Sequence, residues 1–137
     1  VKHEIIWNGE LEDAYVTASG AATVEAMDDC RRSLTSDSRF RSGIRVLIDH
    51  RQVDWSGMTH EDVLGVINLL SRDASRFGFT YCAMVMGKQV DFGIARMQQQ
   101  YAEIDSELQI EFRVFSTIED ARDWLRTLPK PDPPAAF

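Results

Sequence analysis

At 137 residues and 44% hydrophobic content, the chain is one domain's length and can build a core without metal or disulfide staples. A formal charge of −7 argues against phosphate-driven binding of DNA or RNA, and equally against a generally basic, membrane-seeking surface. There is no run of about 18 apolar residues, and "VKHEIIWNGE" lacks a signal peptide's apolar centre, so a cytoplasmic location is the expectation.

Taken in chain order, "HEIIWN" (3–8) and "DAYVTAS" (13–19) read as two short strands joined by "GELE", a hairpin. Val24, Met27, Cys30 and Leu34 then recur at helical spacing with charged residues between them. "SDSRFRSG" breaks that helix, and "IRVLID" (44–49) is a short apolar strand. Residues 59–77 give the clearest helix. Thr59 caps it with Asp62 three residues on, and Val63, Val66, Ile67, Leu70, Ala74 and Phe77 share one face. Gly78 ends it.

"FTYCAMVMG" is apolar at every alternation, as a parallel strand covered on both faces requires. Asp91 opens the next helix, with Ile94, Met97, Tyr101 and Ile104 on its apolar face. "LQIEFRVF" (108–115) alternates cleanly and belongs near a sheet edge. Ser116 with Glu119 makes a capping box for a last helix carrying Ala121, Trp124, Leu125 and Leu128. All four prolines fall within 129–137, which is expected to be an extended tail after a single domain spanning 1–128. The order ββαβαβαβα predicts a mainly parallel mixed sheet of about five strands with about four helices and right-handed crossovers.

Several stretches carry the resemblance that this layout invites: "GAAT" (20–23), "SDSRFRSG" ahead of "VLIDHR", the helix at 59–77, "FGIARM" (92–97) and "VFSTIEDARDWL" (114–125). In these the chain resembles the SpoIIAA-like branch of the STAS fold, which is related in shape to lipid-binding Sec14 domains, over about residues 3 to 128. The resemblance implies an α/β SpoIIAA-like fold in a largely uncharacterised bacterial family. STAS antagonists carry Asp-Ser-Ser/Thr-Gly-Leu where the strand meets its helix, and the first hydroxyl accepts phosphate. Here the stretch is Asp54-Trp55-Ser56-Gly57-Met58, so Trp55 replaces the acceptor, and Ser56 and Thr59 remain as the candidate phosphorylation sites.

No catalytic signature is present. His50 lacks a Ser or Cys nucleophile in a recognisable activation context, and His3, His50 and His60 have no partners at metal-ligand spacing. Cys30 and Cys82 fall at apolar positions and read as reduced, buried thiols. "MGKQVDFG" lacks the glycine patterns that wrap phosphates, so no cofactor is expected. Asp49 and Arg51, after "RVLI", are either the polar anchors of a pocket mouth or a turn pair satisfying its own hydrogen bonds. Trp55 is either a lid over an apolar cleft or packing for its own helix. Six of the twelve arginines lie between residues 31 and 51, either as an anion-receiving patch or as a solvated face paired to its own carboxylates.

The expectation is a non-catalytic regulatory or binding domain. The resemblance to Sec14 domains implies a small apolar or amphipathic ligand, or a lipid, in a cleft near the carboxyl ends of the strands. That cleft lies between the helices at 59–77 and 91–105, with Trp55 as gate, Asp49 and Arg51 as polar rim, and Met84, Met86 and Phe92 as lining. The alternative is an antagonist-type module that docks a regulatory protein partner on the helix face near 56–70. Peripheral membrane contact and a homodimer through strand 108–115 and Phe137 complete the expected partners.

Overall fold

The structure is a computed structural model, and it describes residues 2–9, 11–72, 79–105 and 108–131. Strands β1 (Lys2–Trp7) and β2 (Ala14–Ala21) form the antiparallel hairpin expected from their alternation. Helix α1 (Val24–Thr35) begins at Thr23, whose hydroxyl accepts the Ala26 N–H at 3.0 Å. Strand β3 (Ile44–Asp54), helix α2 (His60–Arg72), strand β4 (Thr80–Val85), helix α3 (Gln89–Ile104), strand β5 (Ile110–Phe115) and helix α4 (Ile118–Arg126) follow. The strands lie in the order β1-β2-β3-β4-β5, and every pairing after the hairpin is parallel.

Because each crossover steps to the next strand in the same direction, a consistent right-handed connection places α1, α2 and α3 on one face. The cores agree. Val66, Ile67 and Leu70 of α2 and Ala95 and Ala102 of α3 pack with Cys82, Met84 and Phe112 of the strands, and Met27 of α1 joins them. On the opposite face Leu47, Ala83 and Val85 meet Ala121 and Leu125 of α4. One face therefore carries three helices and the other carries α4.

Four sequence expectations need correcting or bounding. Strand β3 does not stop at Asp49 but runs on to Asp54. Helix α3 starts two residues before Asp91, which lies buried in its first turn. Helix α4 is capped by Thr117 rather than Ser116, its hydroxyl accepting the Asp120 N–H at 3.0 Å. Ala74, Phe77, Gly78 and the tail from 132 to Phe137 lie outside the described residues. Thr59 and Asp62 do form the expected reciprocal cap, at 3.0 and 3.1 Å.

Candidate functional site

The polar run after "VLI" stays in the sheet through an irregularity. Thr17 of β2 pairs with Asp49 and Ser19 with Gln52, so three steps of β3 oppose two of β2. This is a β-bulge, and the extra residue resets the in–out alternation of the strand. Ile48 and His50 face the three-helix side before it, and Val53 returns to that side after it. His50 and Val53 are consequently both buried, while Arg51 and Gln52 between them are exposed. Trp55, immediately past the strand, lies in the same core.

His50 and Trp55 meet edge to face, with ring centroids 5.0 Å apart and planes at 79°. They are 6% and 3% exposed, so neither ring reaches bulk water. Nδ1 of His50 and Nε1 of Trp55 are buried and have no hydrogen-bond partner among the described residues. Burial drives the His50 imidazole down to about 4, against a weaker opposing pull from the Asp49 charge, so the ring is neutral at pH 7. Most buried polar atoms in folded proteins have a partner, which makes two orphans on touching rings notable.

Beside His50 is a cavity of about 100 Å³. Its walls come from α1, α2 and α3 on one side and from β3, β4 and β5 on the other, and they are mainly apolar. Cys30 and Cys82 both contribute to the lining. Burial pushes the Cys30 thiol up to about 11 and raises Cys82 further, so both are protonated and unreactive at neutral pH. Among the described residues no hydrogen bond joins His50 to a nucleophile, and no cluster of three or more His, Cys, Asp or Glu side chains could hold a metal ion.

The expected site residues separate. Met84 lines the cavity, and Met86 is buried in the adjoining core. Phe92 packs partly buried against that core and does not line the cavity. Asp49 and Arg51 are not a rim to it. The Asp49 carboxylate accepts from Nε and Nη2 of Arg51 at 2.9 and 2.8 Å, and these bonds hold its pKa below the usual carboxylate range. The two leave the opposite sheet face from Ile48 and His50. Arg51 lies over Gly87, where any Cβ would stand 3.4 Å from the arginine's own Cβ.

Trp55 lines a second hollow, of about 350 Å³, at the carboxyl ends of the strands with Val53, Asp54, Ser56, Met58, Lys88, Asp91 and Ile94. The indole and the imidazole therefore stand between two spaces. Ser56 is exposed, with its backbone N–H held by Asp54 at 2.9 Å. Thr59 is exposed and spends its hydroxyl on the α2 cap. The described outward residues of α2 include His60, Glu61, Asn68 and Arg72, whereas the exposed large apolar side chains are Ile6, Phe79 and Ile104. The sequence offers His50 as a base or a metal ligand and gives Cys30 no part in a pocket. The bulge that returns Val53 and Trp55 to the His50 side of the sheet carries no local sequence signal.

The arginine cluster resolves into pairs. Arg31 and Arg32 bind Asp28, and Arg32 also binds Asp29. Arg39 binds Asp37, Arg41 and Arg45 converge on Asp13, and Arg51 takes Asp49. This is a self-neutralised surface rather than an anion patch.

Comparison with solved structures places the architecture. The chain is similar to an uncharacterised protein of the DUF3478 family with a SpoIIAA-like fold from Shewanella loihica PV-4. The TM-score is 0.58 at 19% identity, over 90% of this chain and 93% of that one. The fold is therefore SpoIIAA-like, a five-stranded mixed sheet with four helices among the described residues. No family model matches the sequence, and no curated protein matches it significantly. No described helix is long and apolar enough to cross a membrane.

Proposed function

We propose that the chain is a non-catalytic binding domain, and that its ligand is a small, mostly apolar molecule held between the three-helix layer and strands β3 to β5. The observation that carries this reading is the cavity of about 100 Å³ inside the larger core. Protein interiors are otherwise close-packed, and voids larger than a water molecule are few. An engineered apolar cavity of about 150 Å³ stays dry and takes up benzene or xenon, so this one matches a body of roughly that class or smaller. Pockets for drug-sized ligands start at roughly 300 Å³, which favours a compact molecule over a whole lipid. Three helices converge on the space, so an occupant would bias their packing, as a regulatory role needs.

Xenon or toluene titration followed by NMR tests the reading. Saturable shifts confined to methyl groups around Met84 and Phe112 are expected, and Cys30→Leu, which fills the space from α1, abolishes them. Absence of saturable binding by either probe overturns it.

A protein-docking role for the β3–α2 corner is a second reading, favoured by the exposure of Ser56 and Thr59 beside the hollow that Trp55 lines. A kinase-dependent mass shift on either residue supports it, and a partner-independent, unmodified chain in cells counts against it.

A further inference from the structure

We infer that the ligand carries a neutral hydroxyl group, which takes the Trp55 Nε1–H and serves His50 Nδ1 while its apolar body fills the cavity. The inference rests on the binding reading above and adds the ligand's chemical class. Both nitrogens are buried and unpartnered, and they belong to rings in direct contact. Leaving buried polar atoms unsatisfied is unfavourable enough that native proteins hold few of them.

The chemistry of the two rings narrows what can satisfy both. Indole Nε1–H only donates, so the ligand atom must accept. Nδ1 of a neutral imidazole donates in one tautomer and accepts in the other. A hydroxyl oxygen accepts from the indole and either donates to Nδ1 or accepts from it, so it fits both tautomers. A carbonyl or ether fits only one. An ammonium group meets the indole donor head on.

An anion is disfavoured by the surroundings. Burial keeps His50 uncharged at neutral pH, Asp49 directly precedes it, the Arg31 that lines the cavity is paired with Asp28, and the hollow on the Trp55 side holds Asp54 and Asp91 against the single cation Lys88 among its described lining. The pair also stands where a polar end belongs. His50 borders the apolar cavity and Trp55 borders the larger hollow that includes Asp54, Lys88 and Asp91, so the hydroxyl sits between the two and the carbon body points into the first.

Phenol and toluene differ by a hydroxyl in place of a methyl group and make a matched pair of probes, with xenon as the size control. Affinities measured by NMR titration at pH 7 are expected to place phenol at or above toluene, although a purely apolar cavity prefers toluene. Trp55→Phe, which keeps a ring and deletes the donor, is expected to lower the phenol-to-toluene ratio about tenfold, the worth of roughly one hydrogen bond. His50→Leu lowers the same ratio from the other side and serves if Trp55→Phe unfolds the corner. A toluene preference in the unmodified protein, as when solvent alone satisfies the two nitrogens, overturns the inference while leaving the binding reading intact. So does a ratio unchanged in both variants. Failure of xenon, toluene and phenol alike removes the binding reading and this inference together.

Discussion

Asp13 and Arg45 join the start of β2 to β3 through three hydrogen bonds in a buried position. The Asp13 carboxylate accepts from the Arg45 backbone N–H at 2.8 Å, from Nε at 3.1 Å and from Nη2 at 3.2 Å. Arg41 adds a second cation at 3.6 Å. Asp13 thus continues the sheet's ladder with a side chain, and its own N–H donates to the Arg45 carbonyl at 2.8 Å.

Truncating one member leaves an uncompensated buried charge on the other. Asp13→Ala is therefore expected to destabilise the fold by about 3–5 kcal/mol, and Asp13→Asn, which keeps one acceptor, by less. Urea unfolding of the two variants measures this. A loss below about 1 kcal/mol for the alanine variant would show that water solvates the site.

Stability should fall with acid through His50. Its folded pKa is lowered to about 4, below the unfolded value near 6.5, so the unfolded chain binds the proton first. The associated stability is complete above about pH 6.5, declines as pH drops towards 4, and changes no further below that. Across the window it amounts to roughly 3 kcal/mol. Denaturant midpoints at pH 7.5, 6, 5 and 4.5 for the protein and for His50→Leu isolate the contribution. Parallel pH profiles for the two would refute it.

The corner hydroxyls should behave differently from each other. Thr59 satisfies the Asp62 N–H at the head of α2, so Thr59→Ala is expected to cost about 1 kcal/mol. Ser56→Ala, at an exposed turn position, should change stability by no more than about 0.5 kcal/mol. Thermal unfolding separates them, and equal effects would mean that the cap contributes nothing net.

Much of the fold was legible because it follows periodicity. The hairpin, the α2 stripe of Val63, Val66, Ile67 and Leu70, and the β5 alternation each obey one period. The end of β3 was misread because "HRQVD" is polar and the bulge hides its period of two. The α4 cap slipped by one residue because Ser116 and Thr117 are both good caps with an acid three residues on. The contacts that tie distant segments have no local signature. Arg122 of α4 reaches the buried Glu12 at 2.9 Å across 110 residues, and nothing near either position announces the other.

Site legibility followed the same division. Trp55 drew attention as an indole in a polar stretch, and Met84 as part of an apolar run. The expected cleft came from the resemblance to Sec14 domains, not from any spacing in the chain. The hollow that Trp55 lines does lie at the carboxyl ends of the strands, whereas the apolar cavity lies beneath the three helices.

The bulge at residues 49–52 gives the site an unusual kind of address. What brings the imidazole and the indole together is a count of residues more than their identity. Straightening β3 without shortening it would turn its far end over, sending Val53 and the indole towards solvent while every side chain kept its chemistry.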